Sequence, residues 1–160
     1  AGSFMYHTHI NDIRQQSHGL YGPLIVMDSG AAWNPDTDRV FIAGDAPDYG
    51  PELNGTRSPA PITLRRGTPY RLRLMNITMG GPGLVFSLVR DGVPMKWAPL
   101  AKDGYQVPPW QAGRRRAEQT VSIGETYDFA VTAADTGAAA LELRTRGGAL
   151  VVSQPIRFVK

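Results

Sequence analysis

Tyr70, Leu72 and Leu74 share one side of a run in which Arg71 and Arg73 occupy the other. That two-residue period marks a strand with one buried face. The same alternation, or a short apolar run closed by turn residues, predicts strands over 3–10, 20–27, 40–44, 84–90, 93–97, 119–123, 127–132, 141–144 and 150–159. Asp91-Gly92 supplies a hairpin turn between two of them. Pro, Gly, Asp and Asn dominate 45–60, which reads as a loop. No window of a dozen residues keeps a helical period. The alanine-rich stretch 130–140 is broken by Thr132, Asp135, Thr136 and Gly137. About ten short strands without a helix predict an all-β sandwich or barrel.

Composition agrees and narrows the chemistry. The chain has 160 residues, of which 42% are hydrophobic and 19% charged, enough to build a core and too apolar for disorder. Its 18 glycines and 13 prolines are scattered as turn punctuation, which favours many strands. A net charge of +3 gives no basic stripe of the nucleic-acid-binding kind. The one dense run, Arg114-Arg115-Arg116, reads as a solvated loop. With no cysteine, thiolate metal sites, disulfides and cysteine nucleophiles are excluded. No stretch approaches the roughly 18 apolar residues of a membrane span, and the first residues do not have the pattern of a signal peptide.

His7 and His9 are the candidate metal ligands. On an extended strand, positions i and i+2 face one way, with side chains about 6–7 Å apart at the base. Two imidazoles so placed can clasp one ion or reach the two metals of a close pair, and imidazole suits copper, zinc, iron and nickel. A His-x-His pair also arises by chance, and two donors leave most of a coordination sphere unfilled. His18, in a polar stretch, reads as an exposed loop residue. Asp103 reads as a turn residue, and Tyr6, Trp33, Trp97 and Trp110 as core or edge aromatics. Ser3 at the third position rules out the amino-terminal copper site that a histidine there would make. No nucleophile elbow, phosphate loop or His-Glu-x-x-His motif is present.

Gly2-Ser3-Phe4-Met5-Tyr6-His7-Thr8-His9, followed by Gln15-Gln16 and Gly19-Leu20-Tyr21-Gly22-Pro23-Leu24-Ile25-Val26, resembles the end of the first domain of the multicopper oxidases. That family includes laccases, ascorbate oxidase, bilirubin oxidase and ceruloplasmin. Asp91-Gly92 with Trp97, and Gly124-Glu125-Thr126-Tyr127-Asp128-Phe129, are similar to features of the second domain of three-domain members. The resemblance implies a cupredoxin-like Greek-key β-sandwich or barrel. It implies a division into 1–27, the C-terminal strands of a first cupredoxin domain, 28–39, a linker, and 40–160, a second cupredoxin-like domain.

It further implies that His7 and His9 each bind one copper of the coupled type 3 pair, in a periplasmic or secreted oxidase that couples oxidation of a reducing substrate to reduction of dioxygen to water. The family's upstream His-x-His motif and its C-terminal copper motifs, with their cysteine, do not occur in this sequence. The chain is therefore read as a truncated piece, inactive alone, whose partners are copper and the remaining domains. The copper nitrite reductases share the fold, but their motifs are also absent. Two other readings stay open: a free-standing copper-binding module using His7, His9 and His18, or a structural β-sandwich without metal. Residues 1–27 are expected either to pack onto the second domain in a way unlike the family or to pair with a second copy.

Overall fold

The computed structural model describes residues 1–48 and 50–160. Its first strands, β1 (Gly2–His7) and β2 (Tyr21–Val26), form an antiparallel hairpin around a short helix, α1 (Asp12–Ser17). There follow β3 (Asp38–Ala46), β4 (Gly50–Leu53), β5 (Ile62–Arg65), β6 (Tyr70–Asn76), β7 (Leu84–Arg90), β8 (Val93–Pro94) and β9 (Lys96–Lys102). The chain continues through β10 (Tyr105–Gln106), a 3-10 turn at Pro109–Gln111, β11 (Arg115–Arg116), β12 (Glu118–Val121), β13 (Thr126–Val131), β14 (Gly137–Thr145) and β15 (Leu150–Val159).

Two sheets face each other. One runs β10-β9-β13-β6-β3-β4, with β11 added beside β9; the other runs β12-β7-β14-β15-β5, with β8 beside β7. Most pairs are antiparallel, but β3 lies parallel to β6 and β5 parallel to β15. Phe41, Leu72, Leu74, Trp97 and Phe129 from the first sheet meet Phe86, Leu88, Leu141, Leu143 and Phe158 from the second in one buried core. Trp97 stacks on Phe129 with ring centroids 4.1 Å apart. Burial of each such side chain stabilises the fold by about 1.5–3 kcal/mol. The expected all-β class is observed.

The β1–β2 hairpin packs across the outer face of the first sheet. Met5, Tyr21 and Ile25 close over Ile42, Met75 and Ile77, a second apolar cluster. Glycines permit the close approach. A Cβ on Gly44 would overlap the Tyr21 phenol, and one on Gly104 the Phe4 ring.

Between these apolar contacts lies an ionic lattice. Arg73 donates to Asp38 at 2.7 Å, to Ser3 Oγ at 2.8 Å and to Asp128 at 3.1 Å. Ser3 Oγ donates to Asp128 at 2.7 Å, and Thr126 donates to the Ser3 carbonyl at 2.9 Å. Arg71 adds a two-nitrogen grip on Asp128. Two arginines thus balance two aspartates while Arg73 and Asp128 are almost wholly buried.

This corrects the half-buried strand expected over 70–76: its second face is largely covered by the hairpin, with Arg73 2% exposed and Arg71 only partly open to water. The other differences are local. The first strand stops at His7 instead of residue 10. α1 is absent from the sequence expectation because six residues are fewer than two helical turns, too short to show a period. β3 begins at Asp38, within the expected 28–39 linker, and β4 forms inside the expected 45–60 loop, of which residue 49 lies outside the described residues. The alanines at 138–140 extend β14, and Arg115–Arg116 pair with β9 although their side chains remain exposed. Trp97 is core, but Trp110 is 82% exposed, so it is not the core or edge aromatic expected. Asp103 does occupy a turn, with φ of 48°. Residues 1–27 pack against the first sheet through β1 and β2.

At the surface, Lys102 donates to Glu125 at 2.8 Å. Hydrogen bonds with Glu125 and then Tyr127 hold the Lys102 ammonium above its ordinary range. Burial pushes the Glu125 carboxyl up, but the hydrogen bonds from Lys102 and the Ser122 N–H outweigh it and leave the group below its ordinary 4.5.

Two outcomes are expected from this packing. Replacing Arg73 by Met leaves Asp38 and Asp128 without their shared cation. Urea unfolding should show a loss of about 3–5 kcal/mol, and a loss below about 1 kcal/mol would contradict a stabilising lattice. Because Glu125 titrates lower in the folded state than in the unfolded chain, its contribution is present above pH 4.5 and lost as pH falls through the folded value. The melting-temperature gap between wild type and Glu125→Gln should therefore exist at pH 7 and close in acid; a pH-independent gap would contradict this.

Candidate metal centre

His7 is the last residue of β1. The strand's alternation sends Ser3, Met5 and His7 toward the sheet and leaves Phe4 and Tyr6 exposed. His7 consequently lines a cleft of about 250 Å³ together with Met5, Asp103 and Thr126. Beyond it the chain leaves the ladder, so His9 is not held by strand geometry. The two imidazoles nonetheless come together, with ring centroids 4.5 Å apart and planes inclined by 37°.

Local hydrogen bonds fix this corner. His7 Nδ1 lies 3.0 Å from the Thr8 carbonyl oxygen. A carbonyl only accepts, so Nδ1 carries the proton and Nε2 keeps its lone pair free for a ligand. Thr8 Oγ1 donates to Gln15 Oε1 of α1 at 2.5 Å and accepts from the Ile10 N–H at 3.2 Å. The helix that interrupts the hairpin therefore clamps the residue between the two histidines. The sequence reading gave Gln15 no role. Its signal was only its place in the quoted motif, because nothing local tells a clamping glutamine from a solvated one.

His18 stays apart. It caps α1, exposed, and its Nδ1 donates to the Arg14 carbonyl at 2.6 Å. Among the described residues no three of His, Cys, Asp and Glu converge as a metal-holding group. The His7–His9 corner thus offers two imidazole donors, a set that fits copper in kind but fills only part of its coordination sphere.

No protein-family model matches the chain. No curated protein sequence matches it either. Solved structures do. The blue copper oxidase from Nitrosomonas europaea superposes with a TM-score of 0.74 at 20% identity, over 99% of this chain and 56% of that one. The copper nitrite reductase from the same organism gives 0.74 at 19% identity, over 99% and 62%. The laccase from Botrytis aclada gives 0.70 at 20% identity, over 98% and 34%. The chain spans between about a third and under two thirds of these proteins. At such identities the likeness is one of fold, and it extends over nearly every residue from the hairpin to β15. The chain has the all-β cupredoxin fold of the multicopper oxidases.

Proposed function

We propose that this chain is part of a multicopper oxidase and that His7 and His9 supply ligands to the two coppers of its coupled pair. The observation that carries the reading is the pair of imidazoles 4.5 Å apart, within the sequence block that resembles the family's ligand motif. Copper, when bound, supplies the one-electron chemistry that links a reducing substrate to the reduction of dioxygen to water. The chain's own residues present and orient the donors. The Thr8 carbonyl holds the His7 ring in the tautomer whose Nε2 is free, and the Thr8–Gln15 bond keeps the intervening peptide from turning. Met5 and Ile77 wall the cleft beside His7 with apolar surface.

The remaining ligands, including the cysteine of a type 1 site, belong in this reading to other parts of the parent protein. Phe4, Tyr6, Leu24 and Val26 are exposed on the hairpin, and we read this apolar surface as the side that meets those parts or, failing them, a second copy. The domain division at 27 and 40 and a periplasmic or secreted location rest on the same resemblance. Among the described residues no helix is long and apolar enough to cross a membrane.

Calorimetric titration with cupric ion, followed by electron paramagnetic resonance, tests the ligand assignment. The chain should bind copper weakly through two nitrogen donors, and His7→Ala/His9→Ala should weaken binding at least about tenfold, since a missing ligand costs more than a perturbed outer contact. Equal binding by the double variant would sink the assignment. If His18→Ala weakens binding as much, the free-standing module using three histidines becomes the better reading. Gln15→Ala, which frees Thr8 but removes no donor, should lower copper affinity about tenfold while leaving the fold intact by circular dichroism.

A further inference from the structure

A second site lies on the sandwich, away from the histidine corner and independent of the copper reading. Arg39 sits near the start of β3, two residues before Phe41 and four before Ala43, both of which face the core. The strand's period therefore turns Arg39 to the same side, toward the rim of the space between the sheets. Its Nε is buried and meets no acceptor among the described residues. An unsatisfied buried donor is costly, and more so on a cation. In a native protein it calls for an acceptor from elsewhere.

The space beside it is a cleft of about 430 Å³. Arg65 lines it from β5, and three hydroxyl side chains, Thr37, Thr63 and Thr68, complete a set of donors. Asp36 is the one acidic side chain on its wall, set against two arginines. The donors are not loose. Tyr70, buried, accepts the Arg65 N–H at 2.7 Å and anchors the end of β5, while Arg65 Nη1 donates to the Lys160 carbonyl at 3.2 Å. That leaves the rest of the guanidinium for a guest.

We propose that this cleft binds a small tetrahedral oxyanion, phosphate or sulfate. Two guanidinium groups offer the planar, forked donors that oxyanions take in pairs, and hydroxyls fill the remaining directions. An apolar guest would leave those donors unpaired, and a metal cation would meet two positive charges.

The test is calorimetric titration of the whole chain with inorganic phosphate and with sulfate, at ionic strength held constant with chloride, and acetate as the planar comparator. One saturable site per chain is expected for a tetrahedral anion. Arg39→Met and Arg65→Met should each weaken it at least tenfold, and Arg114→Met, a change in the basic run outside the cleft, should leave it unchanged. Thermal melts should show phosphate raising the melting temperature of wild type but not of Arg65→Met. Arg65 is exposed, so that variant decides the matter should Arg39→Met fold poorly. Absence of a saturable site, equal binding by Arg65→Met and wild type, or acetate binding as tightly as phosphate would each overturn the proposal.

Discussion

The position of His7 depends on a buried charge lattice built mostly on strands other than its own: Arg73, Asp128 and Asp38 belong to the sheet, and only Ser3 belongs to β1. A two-stranded hairpin has too little core to order itself. It becomes part of the structure by lying on a sheet whose outer face is already charged and apolar in the right places. The serine hydroxyl donates to Asp128 and accepts from Arg73, adding a partner to each member of an ion pair the two already make. Isolated buried charges are heavily penalised, and the penalty is met only when every lone pair and proton finds a partner. The lattice therefore specifies one placement of the hairpin more sharply than the apolar cluster of Met5, Tyr21 and Ile25 would alone.

That placement carries through to the histidines by simple geometry. Ser3 and His7 lie on the same side of β1, so fixing one end of the row fixes the other. His9 lies outside the ladder, and a different device holds the peptide before it: Thr8 tied to Gln15 on a helix too short to be stable by itself. The helix persists because the two strands on either side are already held. A donor pair is thus built from a rigid strand end and a clamped turn, an arrangement suited to a ligand set completed by other segments.

The oxyanion cleft depends on the same architecture seen from another side. Arg39 and Arg73 are both arginines near β3 and β6, yet Arg73 finds acceptors for Nε and Nη1 while Arg39 holds an orphaned Nε. The difference is not one of residue type. It follows from which strand face each occupies and what covers that face.

From sequence, the period-two runs determined the all-β class and most strand positions; β7 and β15 occur where alternation and turn residues placed them, because strand periodicity is a local property. The His-Thr-His block, read by resemblance, pointed to the corner that the structure forms. Tertiary structure alone decided what lies on each face. Arg71 and Arg73 alternate with leucines as surface residues do, and no local pattern distinguishes a face open to water from one covered by a distant hairpin. Trp110 and Trp97 are the same residue type with opposite burial, 82% and 0% exposed, for the same reason. Alternation sets which way a side chain points; only the packing of segments far apart in sequence sets what it meets there.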